Sequence, residues 1–163
     1  MVKKQQPFIK SKTSNLREGM GRAREVVRGR GVTPGQGQGK ALVSTQPFMF
    51  AHGVEPQSGN VIDMRSDMLG ENIKGKVLIF PFGKGSTTGS AWFLETIRQG
   101  NGPSAVINVE TEPIIASAIV MARFLYGIAI PLVDRLEKDI TDLVTEDATV
   151  QVNGDTGEVT IVS

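Results

Sequence analysis

Apolar residues gather along this chain in short bursts separated by glycine, proline and polar residues, and the spacing inside each burst sorts it as strand or helix. Lys76-Val77-Leu78-Ile79-Phe80 is apolar without alternation, as expected of a strand covered on both faces. Ala105-Val106-Ile107-Asn108-Val109 has the same character, Ala41-Leu42-Val43 and Phe48-Met49-Phe50 are shorter candidates, and Ile128 to Val133 returns to strand pattern. Ser90 through Gln99 follows helical spacing with Trp92, Phe93 and Ile97 turned inward, and Gly100-Asn101-Gly102-Pro103 stops it. Pro113 suits the first position of a helix running to Tyr126. Near the C-terminal end, Thr149-Val150-Gln151-Val152 and Val159-Thr160-Ile161-Val162 alternate about Asn153-Gly154-Asp155-Thr156-Gly157, which predicts a hairpin. Pro56-Gln57-Ser58-Gly59 predicts a tight reversal.

Two strand–helix–strand units flanked by smaller strands predict an α/β fold, a mixed-sheet sandwich that is partly barrel-like. Upstream, Asn15 to Val27 reads as a short helix capped by Ser14 or Asn15, although Gly19 and Gly21 weaken it. Residues 29 to 40 are glycine-dense but fit no complete phosphate-loop pattern, so they read as a turn or barrel entry.

Composition narrows this picture. A chain of 163 residues with 39% hydrophobic and 21% charged residues suits one domain with a sizeable core. The expected organisation is a basic N-terminal extension, 1–30, followed by one domain, 31–163. The formal charge of +1 hides a sharp split. Residues 1 to 30 carry Lys3, Lys4, Lys10, Lys12, Arg17, Arg22, Arg24, Arg28 and Arg30 against Glu18 and Glu25, so the remaining body is acidic. Such an arm suits an anionic surface, nucleic acid or membrane. Without aromatic interleaving or a nucleic-acid-binding motif, a solvated or partner-packing extension is the plainer expectation. No stretch reads as a leader or a spanning helix, so a soluble cytoplasmic protein is expected. There is no cysteine, which removes thiolate nucleophiles and thiolate metal ligands from this polypeptide.

The chemistry-bearing residues collect in two places. Phe80-Pro81-Phe82-Gly83-Lys84-Gly85-Ser86-Thr87-Thr88-Gly89-Ser90 lies between a strand and a helix, where backbone N–H groups favour an anion. Two readings of Ser86 stand: a residue that turns the chain and caps the helix, or a hydroxyl acting as general base beside bound phosphate or carboxylate. Lys84 supplies a flexible positive charge, and Thr87, Thr88 and Ser90 add donors to the same patch. Asn108, Glu110, Thr111 and Glu112 form the second cluster, at a strand's carboxyl end before a proline-started helix. There Glu112 equally suits a plain helix start. His52, the one histidine, and the Asp63–Arg65 pair carry no specific signal. Trp92, Phe93, Phe124 and Tyr126 suit a core or a subunit interface better than base stacking.

In their order, Gly39-Lys40-Ala41-Leu42-Val43, Gly53-Val54-Glu55-Pro56-Gln57-Ser58-Gly59, Gly83-Lys84-Gly85-Ser86, Glu110-Thr111-Glu112-Pro113-Ile114-Ile115 and Tyr126-Gly127-Ile128-Ala129-Ile130-Pro131 resemble the small-subunit, or swivel-domain, family of the aconitase X proteins. The resemblance runs from about Gly39 to Val162. It implies a swivelling β/β/α domain paired with a larger subunit that carries an iron–sulfur cluster, this chain holding neither cluster nor metal. It also implies a hydro-lyase, inactive as this chain alone, that dehydrates a small hydroxylated acid such as mevalonate 5-phosphate or cis-3-hydroxy-L-proline. Ser86 falls at the family's catalytic-serine position. Gly83, Lys84, Gly85, Thr87, Thr88, Ser90, Asn108, Glu110 and Glu112 are the expected substrate-binding set. The Phe80-Pro81-Phe82-Gly83-Lys84-Gly85-Ser86 and Asn108-Val109-Glu110-Thr111-Glu112 runs look closer to archaeal members that take the phosphorylated substrate and Phe124-Leu125-Tyr126-Gly127 to bacterial forms, with the phosphorylated substrate favoured. One departure is His52-Gly53-Val54-Glu55, where the family commonly has Gly-Gly-Val-Asp. The competing expectations are a noncatalytic module that orders a partner and, least favoured, nucleic-acid binding through the basic arm.

Overall fold

The computed structural model describes residues 24–145 and 148–162. Eight strands and two helices follow the order β1 (Arg24–Arg28), β2 (Arg30–Thr33), β3 (Gln36–Val43), β4 (Val77–Phe80), α1 (Thr88–Arg98), β5 (Ala105–Asn108), α2 (Pro113–Tyr126), β6 (Leu132–Asp134), β7 (Thr149–Asn153) and β8 (Glu158–Val162). The strands make one mixed sheet in the order β1-β8-β7-β3-β4-β5-β6-β2.

β3 divides this sheet. Its first half, Gln36 to Lys40, pairs antiparallel with β7, whereas Ala41 to Val43 pairs parallel with β4. On one side lie the antiparallel strands β1, β8 and β7; on the other β4, β5 and β6 run parallel, with β2 antiparallel at the margin. Only Gly29 separates β1 from β2, so the two ends of the strand order are one bent strand and the sheet curls toward closure.

Alternation along the parallel strands feeds two cores. Leu78, Phe80, Val106 and Leu132 face the helices and meet Phe93, Ile97, Ile115, Ile119 and Ala122. Val77, Ile79, Ile107 and Val133 face the other way and meet Val27, Val150, Val152, Val159 and Ile161 from the antiparallel half. The layers are therefore sheet, sheet and helices, as the α/β sandwich with barrel character requires. Of the glycines in residues 29 to 40, Gly31, Gly37 and Gly39 belong to strands and mark backbone crossings. A Cβ at Gly31 would lie 2.0 Å from the Gly154 carbonyl oxygen, and one at Gly37 2.0 Å from that of Ser104.

Several expectations change. Arg24 to Val27 is strand, not helix: the β-branched Val26-Val27 pair opposite Thr160 and Val159, and Val27 is buried. The remainder of that expected helix, and most of the basic arm, lie outside the described residues. Strand structure thus begins upstream of residue 31. Phe48-Met49-Phe50 forms a single parallel bridge, Phe48 with Gly83, and its rings join Phe80 and Phe93 in an aromatic cluster with centroids 3.9 to 6.4 Å apart. The strand expected over Ile128 to Val133 is Leu132–Asp134, because Gly127 closes α2 in a left-handed conformation and Pro131 has no N–H to enter a ladder. The β7–β8 hairpin forms as expected, Asn153 Oδ1 accepting from the Asp155 and Thr156 amides.

A buried carboxylate fastens the seam. Asp134 on β6 accepts from Arg30 of β2 at 2.9 and 2.7 Å and from the Thr111 amide at 2.9 Å. Burial opposes its ionisation, but the Arg30 guanidinium and the Thr111 amide outweigh that and hold it below the usual carboxylate range.

Candidate functional site

β4 ends at Phe80, and the chain then runs beside the 48 segment before entering α1. The Phe48 amide donates to the Phe82 carbonyl at 3.0 Å and the Lys84 amide to the Phe48 carbonyl at 2.9 Å. On the opposite side, Gly83 lies against Glu112, where a Cβ would come 2.1 Å from Oε1. Glycine is required there by space. At Gly85 it is required by conformation, with φ at +114°, and this reversal leaves Ser86, Thr87 and Thr88 exposed at the head of α1.

The Ser86 carbonyl accepts from the Gly89 amide at 2.9 Å, while the Ser86 hydroxyl makes no hydrogen bond among the described residues. Thr87 is the N-cap residue but its side chain caps nothing, and the first turn holds no acidic residue. The Gly89 and Ser90 amides are taken by the Ser86 and Thr87 carbonyls, so the helix opens with the Thr87 and Thr88 amides unbonded among the described residues and the positive end of its dipole beside a free hydroxyl. Such a place holds an anion and stabilises negative charge on an adjacent oxygen.

Glu112 is the N-cap of α2, its Oε2 accepting from Ile114 and Ile115 amides at 2.6 and 3.2 Å. Oε1 is buried without a partner beside Gly83. One carboxylate thus starts α2 and walls the corner. Glu112→Ala is expected to destabilise the chain by about 1 kcal/mol through loss of the cap, seen as a lowered thermal midpoint.

The structure brings Gly83, Lys84, Gly85, Ser86, Thr87, Thr88 and Glu112 together and gives the remaining candidates other partners. Ser90 turns to α2, its Oγ donating to the Ile114 carbonyl at 2.8 Å and lying 3.2 Å from Ser117 Oγ, so it departs from the expected patch of donors. Asn108 is buried, its Nδ2 donating to the Phe80 carbonyl at 3.0 Å. Glu110 is exposed and paired with Arg135 at 2.7 Å.

Asp63 joins the corner without a sequence signal: its Oδ2 lies 3.7 Å from Lys84 Nζ, and its Oδ1 3.6 Å from Arg65 Nε. The Arg65 amide chiefly holds the Asp63 carboxyl below the usual range; burial opposes this, and the Lys84 and Arg65 charges assist. Only folding of the 48–75 excursion brings Asp63 near Lys84, so no local spacing announces the pair. His52 is exposed with φ at +58° and its ring centroid 4.5 Å from that of Trp92. That left-handed backbone accounts for glycine being common there in the resembled family.

Comparison with known proteins gives the chain a family. The family model for the aconitase X swivel domain matches residues 26–161. The phosphomevalonate dehydratase small subunit of Methanosarcina acetivorans is 39% identical over 136 residues, covering 83% of this chain and 90% of that one. The protein of the same name from Pyrococcus furiosus is 40% identical over 137 residues, covering 84% and 96%. Among solved structures, the holo-form of Thermococcus kodakaraensis aconitase X superposes with a TM-score of 0.76 at 34% identity, over 85% of this chain and 99% of the matched one. With sequence match and fold in accord, the chain belongs to the aconitase X swivel-domain family.

Proposed function

We propose that this chain is the small subunit of a heteromeric, cytoplasmic hydro-lyase that dehydrates mevalonate 5-phosphate, with Ser86 as the general base. The observation that carries the reading is the Ser86 hydroxyl, exposed and unbonded at the uncapped head of α1. The names of the relatives, matched over nine-tenths or more of their length, support the substrate and the subunit role. Among the described residues no set suits an iron–sulfur cluster. The sequence has no cysteine, and the described residues contain no group of three His, Asp or Glu able to hold a metal. In this reading the cluster implied by the family sits on the larger subunit.

In this reading the unbonded Thr87 and Thr88 amides at the head of α1, with Lys84, hold an anionic group of the substrate. Ser86 Oγ takes a proton from the carbon next to the hydroxylated one; the C–H electron pair becomes the new C=C bond, the hydroxyl leaves with the C–O pair, and the proton gained by Ser86 passes on to make it water and restore the base. A serine oxygen needs help to act as a base, and the positive helix end stabilises its alkoxide form.

The test is anaerobic coexpression with the aconitase-X-type large subunit, followed by measurement of water loss from mevalonate 5-phosphate and from cis-3-hydroxy-L-proline. Turnover of the phosphorylated acid is expected. Turnover of only the proline derivative would replace the substrate, and failure of both in a loaded complex would overturn the catalytic reading in favour of a module that only orders its partner.

A further inference from the structure

The outward side of α2 is used neither by the fold nor by the Ser86 corner. Over 14 residues this helix carries one charge, Arg123, and no acid. Its inward side is Ile115, Ala118, Ile119 and Ala122, all buried. On the opposite side Val120, Met121, Phe124 and Leu125 are 56%, 43%, 83% and 50% exposed. Their spacing of one, four and five residues makes a single stripe two turns long. A helix apolar on both sides is the pattern of an element covered on both sides, and apolar stripes of this kind mark interaction surfaces. Arg123, on its flank, has no ion pair or hydrogen-bonded side-chain partner among the described residues.

We propose that this stripe is the docking surface for the larger subunit, which presents an apolar groove edged by a carboxylate that meets Arg123. The inference rests on the subunit reading above and adds where the two chains join. Two observations select this occupant over others. First, Ser117 touches Ser90 near the head of α1, and Val120 lies only about 5 Å further along the α2 axis. A chain that completes an active site over Ser86 therefore reaches the stripe as well. Second, the charge is one-sided: with no acid on α2, the stripe offers Arg123 nothing within its own helix. A second copy docked by the same face would bring arginine near arginine, whereas an acid-edged partner is complementary.

The test titrates full-length chain, wild type and Phe124→Asp, against the separately expressed and purified large subunit by calorimetry, with Gln151→Lys on the exposed face of β7 as control. Because Phe124 is exposed, the variant should keep the wild-type thermal midpoint. Expected is binding weakened about 30-fold or more by Phe124→Asp and unchanged by Gln151→Lys. Independently, peroxide oxidation of Met121, followed by mass spectrometry, should slow several-fold in the complex. Wild-type affinity in Phe124→Asp with unprotected Met121 would overturn the proposal while leaving the subunit reading intact. So would a wild-type chain that dimerises alone and becomes monomeric on the same substitution. Failure of the wild-type chain to bind the large subunit at all would overturn the subunit reading and this inference with it.

Discussion

Ser86→Ala in the assembled enzyme is expected to lower dehydration by about 10² to 10⁴-fold, the usual range for removing a positioned base, with assembly and cluster content unchanged. Nothing in the fold depends on the lost oxygen. The Ser86 hydroxyl is unbonded among the described residues, and it is the carbonyl, retained in alanine, that receives the Gly89 amide. The loss should appear in kcat more than in KM, because the amides at the head of α1 still receive the anion. Steady-state kinetics on matched cluster-loaded complexes makes the comparison. Undiminished turnover would remove Ser86 from the reaction.

The second large effect concerns stability. Asp134→Ala is expected to cost about 3 kcal/mol, as breaking a buried ion pair does, and to lower the thermal midpoint by roughly 6–12 °C. The carboxylate is wholly buried, and its removal strands the Thr111 amide and the Arg30 guanidinium; Arg30, half exposed, regains water and keeps the loss at the low end of that range. The pH dependence has a definite sign. The folded Asp134 titrates below its ordinary value. Its contribution is therefore fully present above the ordinary Asp value of about 4 and disappears as pH falls through the folded value. Below about pH 4 the wild-type and variant midpoints should converge, which thermal unfolding between pH 3 and pH 7 would register. A gap that stays constant over that span would show that Asp134 acts by packing alone.

What was legible in the sequence was whatever a short window encodes. β4 and β5 announce themselves by unbroken apolar runs, α2 by Pro113, and the hairpin by its Asn-Gly-Asp-Thr-Gly turn. The glycine–serine corner was legible for the same reason, since Gly85 and the head of α1 are local features. Residues 24 to 40 were not. Val26-Val27 becomes strand through pairing with β8, more than 130 positions away, and the glycines of β2 and β3 answer to carbonyls of Gly154 and Ser104 that no local pattern reveals. Long-range pairing also set the fate of the second cluster. Glu110 and Asn108 look available in sequence, and folding supplies each with a partner in Arg135 and the Phe80 carbonyl. Arg30 with Asp134, the seam of the sheet, had no signal at all.

The bend at Gly29 bears on how this chain can recognise other proteins. The terminal strands of the sheet order are the five residues of β1 and the four of β2, turned against each other at that glycine. Among the described residues neither offers a long straight row of amides and carbonyls onto which a foreign strand could zip, which disfavours backbone-mediated strand addition and edge-to-edge stacking there. Recognition is left to side chains. With docking on α2 as proposed above, substitutions on that one helix would change the chain's companion without disturbing the sheet.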